Sequence, residues 1–182
     1  MNTPNIITLI RIALIPILVV LYYLPFSWVN IACGSVFAIA CVTDWLDGYL
    51  ARKLDQSTTL GAFLDPVADK LIVAVALVLL CVSYASPWMT IPAIVIICRE
   101  IVISALREWM AELGKRSNVA VSYVGKVKTA MQMISILILL SVEPETLWSW
   151  AGVSALYIAA LLTIWSMLIY LQAAWSDLKK HS

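Results

Sequence analysis

The sequence predicts an all-α, polytopic membrane protein with six transmembrane helices. Of its 182 residues, 63% are hydrophobic and only 13% are charged, far from the composition of soluble proteins. The apolar residues fall into six long runs, and polar or turn-forming residues separate these runs. Among the turns, only alternate ones contain basic residues. Together these observations predict one integral membrane domain that covers residues 1–182.

Each apolar run is long enough to form one membrane helix. A short N-terminal piece leads into the first run, and turns near Pro25, Pro87 and Pro144 separate later ones. The fourth run ends at Gly114, a typical helix C-cap, and a polar linker over residues 115–122 follows it. The predicted helices cover residues 12–24, 28 to beyond 52, 60–84, 88–113, 125–142 and 147–175.

The distribution of basic residues orients these helices. Turns on one side of the membrane, and both chain ends, contain Lys or Arg, whereas the turns near Pro25, Ser86 and Pro144 contain none. The positive-inside rule therefore places both termini and the turn between the second and third helices in the cytoplasm. Tryptophans gather at the opposite turns, as in an aromatic belt.

Composition also excludes several classes of function. The net charge is +1 and no basic run contains interleaved aromatic residues, so no nucleic-acid partner is expected. The four cysteines lie singly in apolar segments, and the one histidine, His181, is next to the last residue. Disulfides, zinc sites and histidine-based catalysis are therefore not expected. Arg11 interrupts the first apolar run and no cleavage motif follows, which argues against a removable targeting segment.

Four aspartates lie at helical spacing around the turn between the second and third predicted helices. Asp44 and Asp47 precede a polar turn near Ser57, and Asp65 and Asp69 follow it. Residues three or four apart share a helix face, so an antiparallel helix pair would bring the four carboxylates together. Four adjacent negative charges require cations. Hard oxygen ligands in this number suit two Mg²⁺ or Mn²⁺ ions.

Other interpretations of the aspartates are open. A DxxDG segment alone is commonly a solvated helix end and turn. However, an aspartate at the centre of a membrane helix costs roughly 2.5–3.5 kcal/mol, and four would oppose insertion by about 10 kcal/mol. Membrane-embedded acids also line ion paths, so a divalent-cation transporter is an alternative. Against it, all four acids lie toward one face of the membrane, and no polar residues continue a path beyond them.

The pattern D-x2-D-G-x2-A-R-x8-G-x3-D-x3-D is present in full and resembles the signature of the CDP-alcohol phosphotransferases. Its fixed positions are Asp44, Asp47, Gly48, Ala51, Arg52, Gly61, Asp65 and Asp69. The resemblance extends over nearly the whole chain. It implies an enzyme that uses CDP-diacylglycerol as donor and releases CMP. It also implies a homodimer that is embedded in the bacterial inner membrane and contacts its lipids. The active site would face the cytoplasm.

The resemblance implies a role for each position of the signature. The four aspartates would coordinate two Mg²⁺ or Mn²⁺ ions, and Asp69 would also be the general base toward the acceptor hydroxyl. The cytidine nucleotide would contact Gly48, Ala51, Arg52, Thr58 and Gly61. The N-terminal pattern P-N-x2-T-x2-R also resembles the family, which makes Asn5, Thr8 and Arg11 further candidates. A helix start with a topology-setting arginine explains that pattern equally well.

Basic residues of the fourth and fifth predicted helices are candidates for an acceptor site. Arg99 and Arg107 are eight residues apart, about 80° around the helix axis, and Lys126 and Lys128 begin the fifth helix. A phosphate on the acceptor would supply the anion that such cations bind. The R-E-x6-R-E-W and G-K-V-K-T segments are similar to those of family members that use glycerol 3-phosphate. The acceptor could instead be inositol phosphate, serine or another alcohol. Alternatively, Lys126 and Lys128 only set the membrane topology, and Arg99 pairs with a glutamate.

Overall fold

All regular secondary structure in the described part of the chain is α-helical. The computed structural model describes the backbone of residues 3–54, 59–112 and 123–178, and the side chains of residues 8–44, 46, 61, 64–110, 112, 125 and 127–172. The helices are α1 (Thr3–Tyr22), α2 (Val29–Leu54), α3 (Thr59–Tyr84), α4 (Pro87–Glu112), α5 (Tyr123–Ser141) and α6 (Leu147–Leu178).

The observed helices agree closely with the apolar runs, except at the N-terminus. The first helix was predicted over residues 12–24, but α1 already begins at Thr3. The N-terminal piece is therefore part of one continuous helix. Likewise, α3 continues through Pro66. Three predicted features lie outside the described residues, namely the turn at Ser57, the cap at Gly114 and the linker over residues 115–122.

The helices pack as a bundle in which α1 contacts both α2 and α3. The α5 helix packs along α6 and also contacts α2, while α4 contacts α6 and α3. Although α2 and α3 are consecutive, their described residues touch at only a few positions. The helix pair expected around the aspartates is therefore joined by α1, which packs against both members.

Apolar surface covers much of this bundle, while an apolar core drawn from all six helices fills its interior. Outward-facing examples are Ile31, Leu161 and Trp165, which are 68%, 65% and 63% exposed. Three helical stretches are long and apolar enough to cross a membrane: Leu64–Tyr84, Pro87–Met110 and Leu147–Gln172. Shorter apolar stretches of the described residues cover Thr8–Tyr22, Val29–Asp44 and Val127–Ser141. Apolar helices of this length, together with an apolar exterior, are typical of a membrane protein.

The backbones of α5 and α6 approach closely at Gly152. The Ser135 hydroxyl of α5 donates a buried hydrogen bond of 2.7 Å to the carbonyl oxygen of Gly152. A Cβ atom at position 152 would lie 2.8 Å from Cγ of Leu139, which is closer than carbon atoms pack. Small residues permit such contacts between membrane helices. Gly152 therefore sets the distance between the two helices.

We expect Gly152→Val to separate α5 from α6 and to destabilise the protein. Overpacking typically costs about 1–3 kcal/mol, so the melting temperature of the purified protein in detergent should fall by several degrees. The matched control is Ser154→Val, at an exposed position of the same helix, which should melt like the unmodified protein. Equal melting temperatures for the two variants would contradict the close contact.

Candidate active site

Arg11 of α1 lies between two of the predicted metal ligands. Its Nη1 atom is 2.8 Å from Oδ1 of Asp44 on α2 and 2.9 Å from Oδ1 of Asp65 on α3. The Arg11 side chain is fully buried, whereas each aspartate side chain is 42% exposed. A single cationic group therefore joins the carboxylates of two helices that scarcely touch each other.

The N-terminal pattern lies on the inner face of α1 at the two positions whose side chains are described. Thr8 and Arg11 are three residues apart, about one helical turn, and they are 1% and 0% exposed. An arginine that only set the membrane topology would extend toward water. Arg11 instead lies inside the bundle with acidic partners.

Asp69 follows Asp65 by one turn of α3 and lines a cavity of about 340 Å³. The charged groups that act on Asp69 electrostatically are Asp44, Arg11, Glu100 and Asp65. Asp69 therefore adjoins both the Arg11 ion pairs and this cavity.

The cavity, called here the basic cavity, is lined by α3, α4 and α5. Arg99 and Arg107 of α4 line it together with Lys128 of α5, so three of the four predicted acceptor-binding residues meet at one place. Asp69 lies on the same lining. The structure thus brings the predicted base and the predicted anion-binding residues into contact with one volume.

Glu100 bridges two of these cations. Its Oε1 atom accepts hydrogen bonds from Arg99 Nη1 at 2.8 Å and from Lys128 Nζ at 3.1 Å. Arg99 is therefore paired with a glutamate, which was one of the alternatives considered from the sequence, while it also lines the cavity. Lys128 is 5% exposed and is held inside the site, not at an exposed turn.

The Arg99 guanidinium retains a donor without a partner. Its Nη2 donates to the Ser166 hydroxyl of α6 at 2.9 Å. Its Nε is buried and has no hydrogen-bond partner among the described residues. A buried donor left unpaired costs about 1–3 kcal/mol. Arg99 therefore lines the basic cavity at the cost of one unsatisfied donor.

Two further polar residues of the basic cavity were not predicted from the sequence. Lys70 also lines an apolar groove of about 520 Å³ between α3 and α4, where it donates a hydrogen bond to Ser104. Gln132 is 5% exposed and lies one turn after Lys128. Helical spacing could have identified Gln132, and Lys70 is adjacent to Asp69 in the chain.

Part of the predicted site falls on side chains that the structure does not describe: Asn5, Asp47, Gly48, Ala51, Arg52, Thr58 and Lys126. Gly61 is described and is partly exposed on α3. No three acidic, cysteine or histidine side chains within the described set are grouped so that they could hold a metal ion. Because Asp47 is outside that set, the cluster of four carboxylates stays a prediction.

Comparison with known proteins identifies the family. Residues 1–169, most of the chain, match the family described as CDP-alcohol phosphatidyltransferase. The chain belongs to this family. The resemblance carried by the aspartate signature is thereby confirmed.

Individual members of the CDP-alcohol phosphatidyltransferase family match the chain from end to end. One from Pectobacterium atrosepticum is 59% identical over 177 residues, which cover 97% of both chains. One from Sodalis glossinidius is 55% identical over 181 residues, covering 100% of this chain and 99% of the relative. One from Escherichia coli is 55% identical over 177 residues, covering 97% of both. All three are named CDP-diacylglycerol--glycerol-3-phosphate 3-phosphatidyltransferase.

We expect Arg11→Ala to destabilise the bundle, because it leaves the facing carboxylates of Asp44 and Asp65 without their cation. Removing one partner of a buried ion pair costs roughly 3–5 kcal/mol. Water around the half-exposed aspartates will screen part of the repulsion, so we expect a loss of about 1–3 kcal/mol. Thermal melting in the presence of a chelator measures this loss.

The double variant Arg11→Ala, Asp44→Asn is the internal control for this experiment. Neutralising one carboxylate removes the repulsion, so the double variant should be more stable than the sum of the two single effects predicts. Strictly additive effects would show that the ion pairs do not explain the loss.

Proposed function

We propose that this protein transfers the phosphatidyl group of CDP-diacylglycerol to glycerol 3-phosphate. The products are phosphatidylglycerophosphate, for phospholipid synthesis, and CMP. The observation that carries the proposal is the basic cavity, where the Asp69 carboxylate shares one lining with Arg99, Arg107 and Lys128. The names of the three relatives support the same donor and acceptor.

The charges of the basic cavity suit a phosphate monoester. Four positive charges line it, from Lys70, Arg99, Arg107 and Lys128, and the carboxylates of Glu100 and Asp69 balance two of them. The two that remain match a phosphate monoester, which carries about −1.5 to −2 charges at pH 7. Arginine also binds phosphate through paired donors, and both Arg99 and Arg107 line this cavity. Serine, which lacks a phosphate, would leave these charges unmatched.

The donor is proposed to bind where α1, α2 and α3 meet, through two divalent cations, Mg²⁺ or Mn²⁺, held by Asp44, Asp47, Asp65 and Asp69. Support comes from the Oδ1 atoms of Asp44 and Asp65, which lie 2.8 and 2.9 Å from the same Arg11 nitrogen and are hard oxygen ligands of the kind that these ions prefer. When bound, the ions would neutralise the charge of the pyrophosphate and of the departing CMP. The cytidine nucleotide is proposed to contact Gly48, Ala51, Arg52, Thr58 and Gly61, with Asn5, Thr8 and Arg11 nearby.

Asp69 is the proposed general base of the transfer. Its carboxylate accepts the proton of the glycerol 3-phosphate hydroxyl, and the hydroxyl oxygen forms a bond to the phosphorus that carries diacylglycerol. The bond from that phosphorus to the bridging oxygen of the pyrophosphate breaks, and CMP leaves with the electron pair. Asp69 suits this role because it adjoins both the Asp44–Arg11–Asp65 ion pairs and the basic cavity.

We further propose that all six helices span the bacterial inner membrane, that both termini and the site face the cytoplasm, and that the protein is a homodimer. The 20 residues of α1 and the 19 of α5 form helices of roughly 30 Å, the thickness of a bilayer core. Exposed tryptophans at the turns opposite the site support this orientation. They are Trp28, Trp88, Trp148 and Trp150.

Release of CMP by the purified protein in detergent–lipid micelles tests the proposed reaction. Radiolabelled glycerol 3-phosphate, CDP-diacylglycerol and Mg²⁺ should give equal amounts of CMP and labelled lipid, and a chelator should stop both. Inositol phosphate and serine serve as competing acceptors. No release with glycerol 3-phosphate, or faster release with another acceptor, would overturn the proposal.

We expect Asp69→Asn to abolish turnover while it leaves part of the donor affinity. A positioned general base contributes about 10²–10⁴-fold to a rate, and an amide cannot take the proton. Single-turnover CMP release measures the chemical step, and equilibrium binding of CDP-diacylglycerol measures the donor affinity. A rate close to that of the unmodified protein would exclude Asp69 as the base.

Arg107→Ala should raise the KM for glycerol 3-phosphate by about 10-fold or more, because a hydrogen bond to a charged group contributes about 1.5–3 kcal/mol. The KM for CDP-diacylglycerol should change little. Steady-state kinetics with each substrate varied in turn measure both constants. Glu108→Gln is the matched control, since Glu108 is the next residue of α4 and lines the apolar groove. An unchanged acceptor KM in Arg107→Ala would contradict this assignment.

A further inference from the structure

We propose that α6 holds the two arginines of the basic cavity in position for the acceptor phosphate, through Ser166 and Tyr170. These two residues are called here the α6 pair. The inference rests on the proposed function, because it assigns Arg99 and Arg107 to the acceptor. It adds positioning residues from a helix that contributes nothing to the described lining of the cavity.

Each member of the α6 pair contacts one arginine. The Ser166 hydroxyl accepts a hydrogen bond of 2.9 Å from Nη2 of Arg99. The guanidinium carbon of Arg107 lies 5.7 Å from the centre of the Tyr170 ring, within the range of a cation–π interaction. The α6 pair therefore contacts both guanidinium groups from a helix outside the described lining of the cavity.

The spacing of these contacts explains how two distant arginines reach one cavity. Arg99 and Arg107 are eight residues apart, about 12 Å along α4, whereas Ser166 and Tyr170 are four apart, about 6 Å along α6. The two contacts occur in the same order on both helices, so α4 and α6 run in the same direction here. The partner backbones are half as far apart as the arginine backbones, and both arginines line one cavity. This spacing favours guanidinium groups that lie closer together than their backbones.

Guanidinium groups that are already close together favour the binding of a small dianion such as the acceptor phosphate. Arginine side chains have many rotamers, and ordering them on binding reduces affinity unless the protein has already ordered them. Ser166 fixes one guanidinium through a hydrogen bond, and Tyr170 stacks against the other without using its donors. The donors that the protein does not engage would then be available to one phosphate group in the shared cavity.

Kinetics of paired substitutions in the purified full-length protein test the α6 pair. Ser166→Ala removes the hydroxyl, and Tyr170→Leu removes the aromatic ring. Each should raise the KM for glycerol 3-phosphate by about three- to tenfold, while kcat and the KM for CDP-diacylglycerol stay within about twofold. Ser166→Thr keeps the hydroxyl and Tyr170→Phe keeps the ring, so both should resemble the unmodified protein. Ile169→Ala, at an exposed position of α6, is the matched control.

The outcomes separate this inference from the proposed function. If the unmodified protein releases no CMP with glycerol 3-phosphate, the proposed function fails. If that protein is active, any of three results overturns the inference. The first is an unchanged KM for glycerol 3-phosphate in Ser166→Ala and Tyr170→Leu, and the second is an equal rise in the KM values of both substrates. The third is a rise in the KM for glycerol 3-phosphate in Tyr170→Phe as large as in Tyr170→Leu. Should Tyr170→Leu fail to fold, the contrast between Ser166→Ala and Ser166→Thr decides alone.

Discussion

A fully enclosed guanidinium between two carboxylates is the interaction on which the arrangement of the site depends. A buried cation is tolerated only beside acidic partners, so Arg11 fixes where Asp44 and Asp65 meet. Their helices have few direct contacts, and α1 therefore sets the separation of α2 and α3. One residue of the first helix thus determines the geometry of a motif more than thirty residues further along the chain.

The need of a buried cation for an acidic partner also governs the basic cavity, which Asp69 lines one helical turn after Asp65. Its buried cations, Arg99 and Lys128, share the carboxylate of Glu100, and α6 supports the arginines from behind. Four helices therefore contribute to a volume whose described lining comes from three of them. Asp69 lies between the two charged regions, as the proposed base toward both substrates would have to.

The sequence predicted the helices well because a membrane helix must be a long apolar run with polar ends. The sequence also singled out cations that line the basic cavity, since charges at Arg99 and Lys128 are too unfavourable in an apolar helix to lack a partner. It could not reveal that Arg11 joins two helices, because periodicity identifies the face of a helix and not its neighbour. Ser166, 67 residues after Arg99, carries no local pattern that would pair it with an arginine.

Glu100 gives the resting cavity its own counter-ion. Together with Asp69 it leaves the described lining an excess of two positive charges. In that field a doubly charged ester gains roughly twice the Coulomb energy of a univalent ion such as chloride. The cavity would therefore favour solutes by valence before any hydroxyl is recognised.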